Sequence, residues 1–307
     1  MSDVSSNPLL AFTEDISKSQ SIAFCAVYGL FVILIAIRLL ARVKSTFAYV
    51  FILVFAITRV ATFGIRSDVA SLDAETGGYK TRVIVAAVLV IAGFLFLIEA
   101  VSDLLVHWYV ACTVEKAAIV VFLCLYRARY CALKALQLTG KTRTIIHLLR
   151  HVVFVGVSVI GIIGAVKQSN DVSNGDSAGS TSAKRLRQAS GALFLLVIAL
   201  FFVVTFYLLV SSADLDGRKP RKAPTASVII ISLVALAVEA VYRIWSASST
   251  TGFIIKQTAL DVLVVMPEWV VLVLSVALNM DDMTDIRLVG QSRPAPHMGQ
   301  LELGCKH

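Results

Sequence analysis

Charged residues are scarce in this chain: 16% of its 307 residues, against 58% that are hydrophobic. An ordinary soluble domain carries about 25% charge, so that class is excluded. Also missing are the zinc-finger, homeodomain and RNA-binding signatures that would turn the net charge of +8 toward nucleic acid, which is set aside as a partner. The sequence has no Asn-x-Ser/Thr sequon, no Gly-rich phosphate loop, no nucleophile elbow and no kinase-like motif. Those absences argue for a non-enzymatic protein without a cofactor. Of the five cysteines, Cys25, Cys112, Cys124 and Cys131 lie in or beside apolar segments, where cysteine behaves as a small hydrophobe. None falls in the polar loops 67–81, 168–188 or 247–252, which excludes an extracellular disulfide clasp. Too few residues follow Cys305 for a prenylation box. The acidic start (Asp3, Glu14, Asp15) is unlike a signal peptide, so the first apolar span is expected to act as its own insertion signal.

Long apolar runs fill the space that charge leaves. A bilayer crossing takes about 20 apolar residues, and the chain offers spans at Ser21–Leu40, Thr46–Ile65, Arg82–Cys112, Ile145–Val166, Gly191–Ser211, Ser227–Trp245 and Phe253–Asn279. The expected fold is all-α, a polytopic membrane bundle of seven transmembrane helices over residues 21–279. Polar tails at 1–20 and 280–307 flank it. Very short connection 41–45 makes the first two helices antiparallel neighbours. Ala117–Tyr126 is too short an apolar stretch for a crossing and reads as an interfacial or buried helix. Gln168–Ser182, rich in Ser, Asn, Gly and Asp, reads as a flexible loop, and Lys184, Arg185 and Arg187 lie in what would be an outer loop. Trp108, Tyr109, Trp245 and Trp269 read as interfacial belt anchors.

The intramembrane ionisable set is Arg59, Glu99, Asp103, Glu239, Arg243, Asp261 and Glu268. A charge facing lipid is costly, so they should look into the bundle or a wet cavity, as a binding core for a head group, cation or proton or as interhelical ion pairs. Arg59 with Glu99 or Asp261 is one such pairing. Glu239 and Arg243, one turn apart, should satisfy each other on their own helix. Asp261 and Glu268, seven residues apart, share a face of an ideal helix, and Pro267 opens the backbone between them. His147 and His151 have the spacing of metal ligands, with His107 as the one further candidate in the membrane region. Arg150 between the pair disfavours a cation, so no metal is expected.

Thr58-Arg59-Val60-Ala61-Thr62-Phe63-Gly64-Ile65-Arg66 and the Asp261-x5-Pro267-Glu268 pattern resemble seven-helix membrane proteins common in fungi. These belong to poorly characterised families and, more loosely, to the resistance-to-aminocholesterol group of lipid-translocating exporter-like proteins. The resemblance implies a transporter or translocator for an amphipathic lipid or lipid-like compound. It would lie in the plasma membrane or an endomembrane, with membrane lipid as its partner. Arg59 would then meet an anionic head group, and Glu99, Asp103, Asp261 and Glu268 would line the path. A seven-helix receptor or sensor whose basic loops meet a cytoplasmic partner is the alternative. A membrane zinc hydrolase through His107, His147 and His151 is the second.

Arg42 and Lys44, the 127–144 segment and the Arg218–Lys222 cluster fall on one side of a seven-span chain. Basic loops stay cytoplasmic, which puts the N-terminus outside and the C-terminus in the cytoplasm. Tags at the two ends should therefore report different compartments; a shared compartment would require an even number of spans.

Overall fold

The computed structural model describes residues 17–41, 47–72, 78–123, 148, 150–168, 170, 181–213, 222–248 and 261–277. Every element among them is helical: α1 Lys18–Ala41, α2 Phe47–Val69, α3 Tyr79–Leu123, α5 Thr181–Ala213 and α6 Lys222–Ser248. Helix α4 spans Arg150–Gln168. The last element, α7, opens with a π turn at Asp261–Val265 and continues as α-helix over Met266–Ala277. Helices α1 to α6 are each long and apolar enough to cross a membrane, and a shorter apolar stretch, Val262–Val276, belongs to α7. The protein is a multi-pass membrane protein.

Its surface carries the apolar side chains that a soluble protein would bury. On α6, Ile231, Val234, Val238, Val241 and Trp245 recur every three or four residues and are exposed, while Ser232, Leu233, Leu236 and Glu239 face inward. A stripe of that period is one face of a helix turned to lipid. Leu196, Leu200, Val203, Phe206 and Val210 form the same kind of stripe on α5.

Side-chain contacts show that successive helices run antiparallel. Phe24 meets Phe63 while Tyr28, further along α1, meets Phe55, earlier on α2. The amide of Ala48 at the start of α2 donates to Asp103 late in α3, and Arg150 at the start of α4 bonds Ser102 beside it. Gln168 at the end of α4 receives Arg187 from early α5, and Gly191 of α5 abuts Ile244 late in α6. At the α2–α3 connection Gly78 has φ +103°, a conformation glycine adopts without strain, and its carbonyl accepts from Arg82 in the first turn of α3.

Three sequence expectations are corrected here. The stretch Gln168–Ser182 is not all loop: Gln168 ends α4, and Thr181 and Ser182 open α5. Lys184, Arg185 and Arg187 consequently sit on a helix rather than in a connection. Helix α3 does not break before Ala117 but runs on through Glu115 and Lys116 to Leu123. The reason is common to all three: backbone hydrogen bonding continues past the point where the apolar pattern ends. Residues 124–147, including His147 and the basic Arg127–Arg143 set, lie outside the described residues, as do residues 1–16, 214–221, 249–260 and 278–307.

Helices α4, α5 and α6 approach closely where Gly161 and Gly191 leave room for Ser190 and Ile244. A Cβ on Gly161 would stand 2.7 Å from Ser190 Oγ, and one on Gly191 would stand 2.7 Å from Ile244 Cγ1. Ser190 uses the proximity to donate to the carbonyl of Val157, 2.9 Å away. Small residues at such crossings let backbones pack without a hydrophobic drive, which lipid does not supply. Gly191→Val should therefore cost about 1–3 kcal/mol by overpacking, read as a fall in the detergent melting temperature, with exposed Leu196→Val as the neutral control.

Candidate functional site

Four ionisable side chains converge where the helices are deepest. Arg59 is the twelfth residue of the 22-residue span Ala48–Val69, and Tyr28 the eleventh of the 23 in Lys18–Leu40. Glu239 is the fifteenth of 23 in Thr225–Ala247, and Glu268 lies in the middle of Val262–Val276. An unpaired guanidinium at that depth costs about 3 kcal/mol or more. The fold answers with a carboxylate from the last helix. Arg59 Nε donates to Glu268 Oε2 at 2.9 Å, and Nη2 donates to Oε1 of the same carboxylate. This two-pronged geometry matches the planar fork of arginine to the two oxygens of a carboxylate. Tyr28 adds a third bond, its hydroxyl donating to Glu268 Oε2 at 2.5 Å.

A second pair stands beside the first. Arg243 donates to Glu239 Oε1 through Nη2 at 2.6 Å and Nε at 3.2 Å, the i, i+4 pairing expected from the sequence. Arg59 Nη2 lies 3.7 Å from the same oxygen, so the two pairs form one network across α2, α6 and α7. Helix α3 supplies its floor. The carbonyl of Val90 accepts from Arg243 Nη2 at 3.1 Å and from Arg59 Nη1 at 3.5 Å. Phe55 and Phe94 place ring faces 5.2 Å from the Arg59 guanidinium carbon and 4.5 Å from that of Arg243. Such stacking on aromatic faces favours a desolvated cation. Gly93 makes the room, because a Cβ there would stand 3.3 Å from Arg59 Cζ. Among the described residues the network sets two guanidiniums against two carboxylates.

Pro267 shapes the delivery of Glu268. Proline has no N–H and its ring crowds the carbonyl of Leu263, one turn earlier. The backbone widens into a π turn over Asp261–Val265 directly before it, an adjustment by which spanning helices absorb proline. With the π turn in the way, the seven residues from Asp261 to Glu268 do not make two regular α turns. Glu268 itself is buried in the network. The side chain of Asp261 lies outside the described set.

Glu99 and Asp103 belong elsewhere. They sit near the end of the span Thr81–Val106 and meet Arg150 and His151, the first residues of the α4 span. His151 Nδ1 is 2.6 Å from Glu99 Oε1. Arg150 Nε approaches Glu99 Oε2 at 2.9 Å, an ion contact that lacks hydrogen-bond alignment. Arg150 Nη1 lies 3.8 Å from Asp103 Oδ1 and bonds Ser102 Oγ at 3.3 Å. Asp103 Oδ2 accepts the Ala48 amide at 3.1 Å, satisfying a donor in the first turn of α2. His151 keeps 42% of its side chain exposed, and the cluster joins the end of the span Thr81–Val106 to the start of the α4 span.

The predicted set thus splits in two. Arg59, Glu239, Arg243 and Glu268 are brought together at mid-depth; Glu99 and Asp103 form a separate terminal cluster. The illustrative pairings of Arg59 with Glu99 or Asp261 give way to Glu268 and Glu239. His151 faces Glu99, and among the described residues no three His, Cys, Asp or Glu side chains gather as metal ligands. The side chain of His107 is not among those described. Two of the expected belt tryptophans are interior. Trp108 is buried, and Trp269 packs edge-on against Phe24 and Tyr28. Trp245 is 53% exposed near the end of α6, as a belt residue would be. Sequence reasoning missed Tyr28, Gly93 and Arg150. A mid-span tyrosine was the available signal for the first, since a buried hydroxyl needs a partner. Comparisons with protein-family models, with curated proteins and with solved structures return no match for this chain.

Removing one partner of a buried ion pair is expensive, while replacing both with apolar side chains is often neutral. Glu268→Ala should lower stability by about 3–5 kcal/mol, and adding Arg59→Met to it should recover most of the loss. Thermal denaturation of the two purified variants in one detergent checks this.

Proposed function

We propose that this protein is a seven-span translocator for an amphipathic lipid or lipid-like compound with an anionic head group, and that the midplane network is its working part. The observation that carries the reading is the unequal exposure of two guanidiniums in one network. Arg59 is 2% exposed and held on both prongs by Glu268; Arg243 is 17% exposed and held by one oxygen of Glu239. Charge of this kind is a poor source of strength inside a membrane, because apolar packing does as well without desolvation. It is a suitable source of selectivity. An anionic head group that reaches Arg243 exchanges one carboxylate-like partner for another, at little net cost, while its acyl chains stay in lipid along the apolar faces of α5 and α6. Glu99 and Asp103 would line the route where Arg150 holds them. The resemblance of the Arg59–Arg66 and Asp261–Glu268 motifs to lipid-translocating exporter-like proteins supports the same reading.

The test is translocation in liposomes. Fluorescent phosphatidylglycerol should become protected from an external quencher faster than fluorescent phosphatidylcholine. Arg243→Gln should slow the anionic lipid about tenfold, the value of one charge-assisted hydrogen bond, with an unchanged gel-filtration profile. Rates equal to those of empty liposomes for both lipids would overturn the proposal.

A further inference from the structure

Two guanidiniums meet between α5 and α6 with hydrogen-bonding capacity left over. Arg187 is partly buried, the seventh residue of the 30-residue span Thr181–Val210. Its Nη1 donates to Gln168 Oε1 at the end of α4, and among the described residues no carboxylate forms an ion pair with it. Arg243 commits Nε and Nη2 to Glu239 and to the carbonyl of Val90, while its Nη1 has no hydrogen bond among the described residues. Arg243 Nη1 and Arg187 Nε and Nη2 are not sealed in the interior, and both side chains keep some exposure.

Packing brings the two side chains together. A Cβ on Gly191 would stand 2.7 Å from Ile244 Cγ1 and 3.5 Å from Ile244 N, so α5 meets the backbone of α6 there. Arg243 immediately precedes Ile244, and Arg187 lies one turn before Gly191 on the same face of α5. Because the two helices run antiparallel, that turn sets Arg187 about 5 Å nearer the bundle end than Arg243. Its stem is fixed against α4, where a Cβ on Gly164 would stand 3.0 Å from Arg187 Cγ. The groups whose charge reaches Arg187 most strongly are Arg243 and the Tyr242 hydroxyl. A structural clamp joins opposite charges; this one sets like against like, which costs stability in low dielectric unless an anion lies between them.

The geometry also selects the anion. Free N–H groups arrive from two helices and at two depths. A carboxylate presents its two oxygens in one plane, as Glu268 does to the single fork of Arg59, whereas the tetrahedral oxygens of a phosphate accept from several directions. We propose that Arg187 and Arg243 form one phosphate-binding site, with Arg187 as its outer half. Arg187 Nε and Nη2 take the outer oxygens and Arg243 Nη1 an inner one, while Gln168 keeps the Arg187 fork in place. No covalent bond is made or broken. The inference rests on the reading of Arg243 as the head-group contact, adds its second contact and narrows the head group to a phosphate.

Calorimetric titration of the full-length protein in a nonionic detergent tests it. Dihexanoyl phosphatidylglycerol is one probe, and glycerophosphoglycerol, the same phosphodiester without acyl chains, is the other. Saturable binding is expected, weakened about tenfold by Arg187→Gln and by Arg243→Gln, the value of a charge-assisted hydrogen bond. Arg187→Lys, which keeps the charge and loses the fork, should fall between wild type and Arg187→Gln. All variants are checked for a wild-type gel-filtration profile, and the lysine variant reads the same contact if the glutamine variant does not fold. Binding of the lipid probe alone identifies a membrane lipid as the source of the phosphate. Binding of both identifies the phosphodiester itself, and either result supports the site. Dihexanoylglycerol hemisuccinate, with the same chains and a carboxylate head, should bind about tenfold more weakly than the phospholipid; equal affinity would overturn the phosphate assignment. Arg185→Gln, at an exposed neighbour on α5, should leave the affinity unchanged. A loss there equal to that of Arg187→Gln would reveal a general basic surface and overturn the site, as would wild-type affinity in Arg187→Gln or saturable binding of neither probe. The translocator is judged separately by its liposome rates: binding without translocation leaves the site and removes the translocator, and translocation without binding does the reverse.

Discussion

The pairing of Arg59 with Glu268 is the constraint around which the bundle is arranged. A guanidinium at mid-bilayer has to be neutralised, and its planar fork requires both carboxylate oxygens in one plane. Several otherwise unrelated features follow from that demand. Gly93 clears space on α3, Phe55 offers a ring face, and Tyr28 closes the far side of the carboxylate. Pro267 and the π turn before it lie next to Glu268, so the one place where α7 departs from regular helix is where its carboxylate enters the network. Four helices are thereby tied to a single atom group. Apolar contacts alone could not tie them so selectively, since lipid tails compete with apolar side chains on equal terms.

The second cluster obeys the same electrostatics near the end of a span. Around Glu99 the acids outnumber the fixed base Arg150, and the balance includes the partly exposed His151. At mid-depth the balance among the described residues is made by two guanidiniums and two carboxylates. Distance from water decides how complete each network has to be. Near the end of the span Thr81–Val106 an imperfectly aligned contact is tolerable where solvent can complete it.

Much of the architecture was legible in the sequence because lipid imposes a simple rule on composition. Six of the apolar runs correspond to helices long enough to cross a membrane and the last to the shorter Val262–Val276, and Arg59, Glu99, Asp103, Glu239 and Glu268 within them face inward. Pairing was harder to read. Glu239 with Arg243 was visible because one helix sets both positions, whereas Arg59 with Glu268 depends on how α2 and α7 lie against each other, which no local pattern encodes. Belt aromatics were misread for a related reason. Trp269 follows Glu268 in the middle of its apolar run, and its contacts with Phe24 and Tyr28 of α1 are seen only in the packing. Arg150 escaped notice as a site residue because it sits at a span entrance among other basic residues, where a solvated role is the ordinary one.

Glu268 follows Arg59 by 209 residues in the chain, and synthesis at 5–20 residues per second puts about 10–40 s between them. Throughout that interval α2 exists without the carboxylate that makes its burial tolerable. Glu239 emerges earlier and lies near enough to serve as a temporary counter-ion. The network therefore implies an order of biogenesis: α1 and α2 wait at the edge of the membrane or of the insertion machinery, α6 brings the first acid, and the arrival of α7 commits the arginine to the centre. A chain cut short before α7 would be left with its most buried cation unanswered, a state that cellular quality control can distinguish from the finished protein.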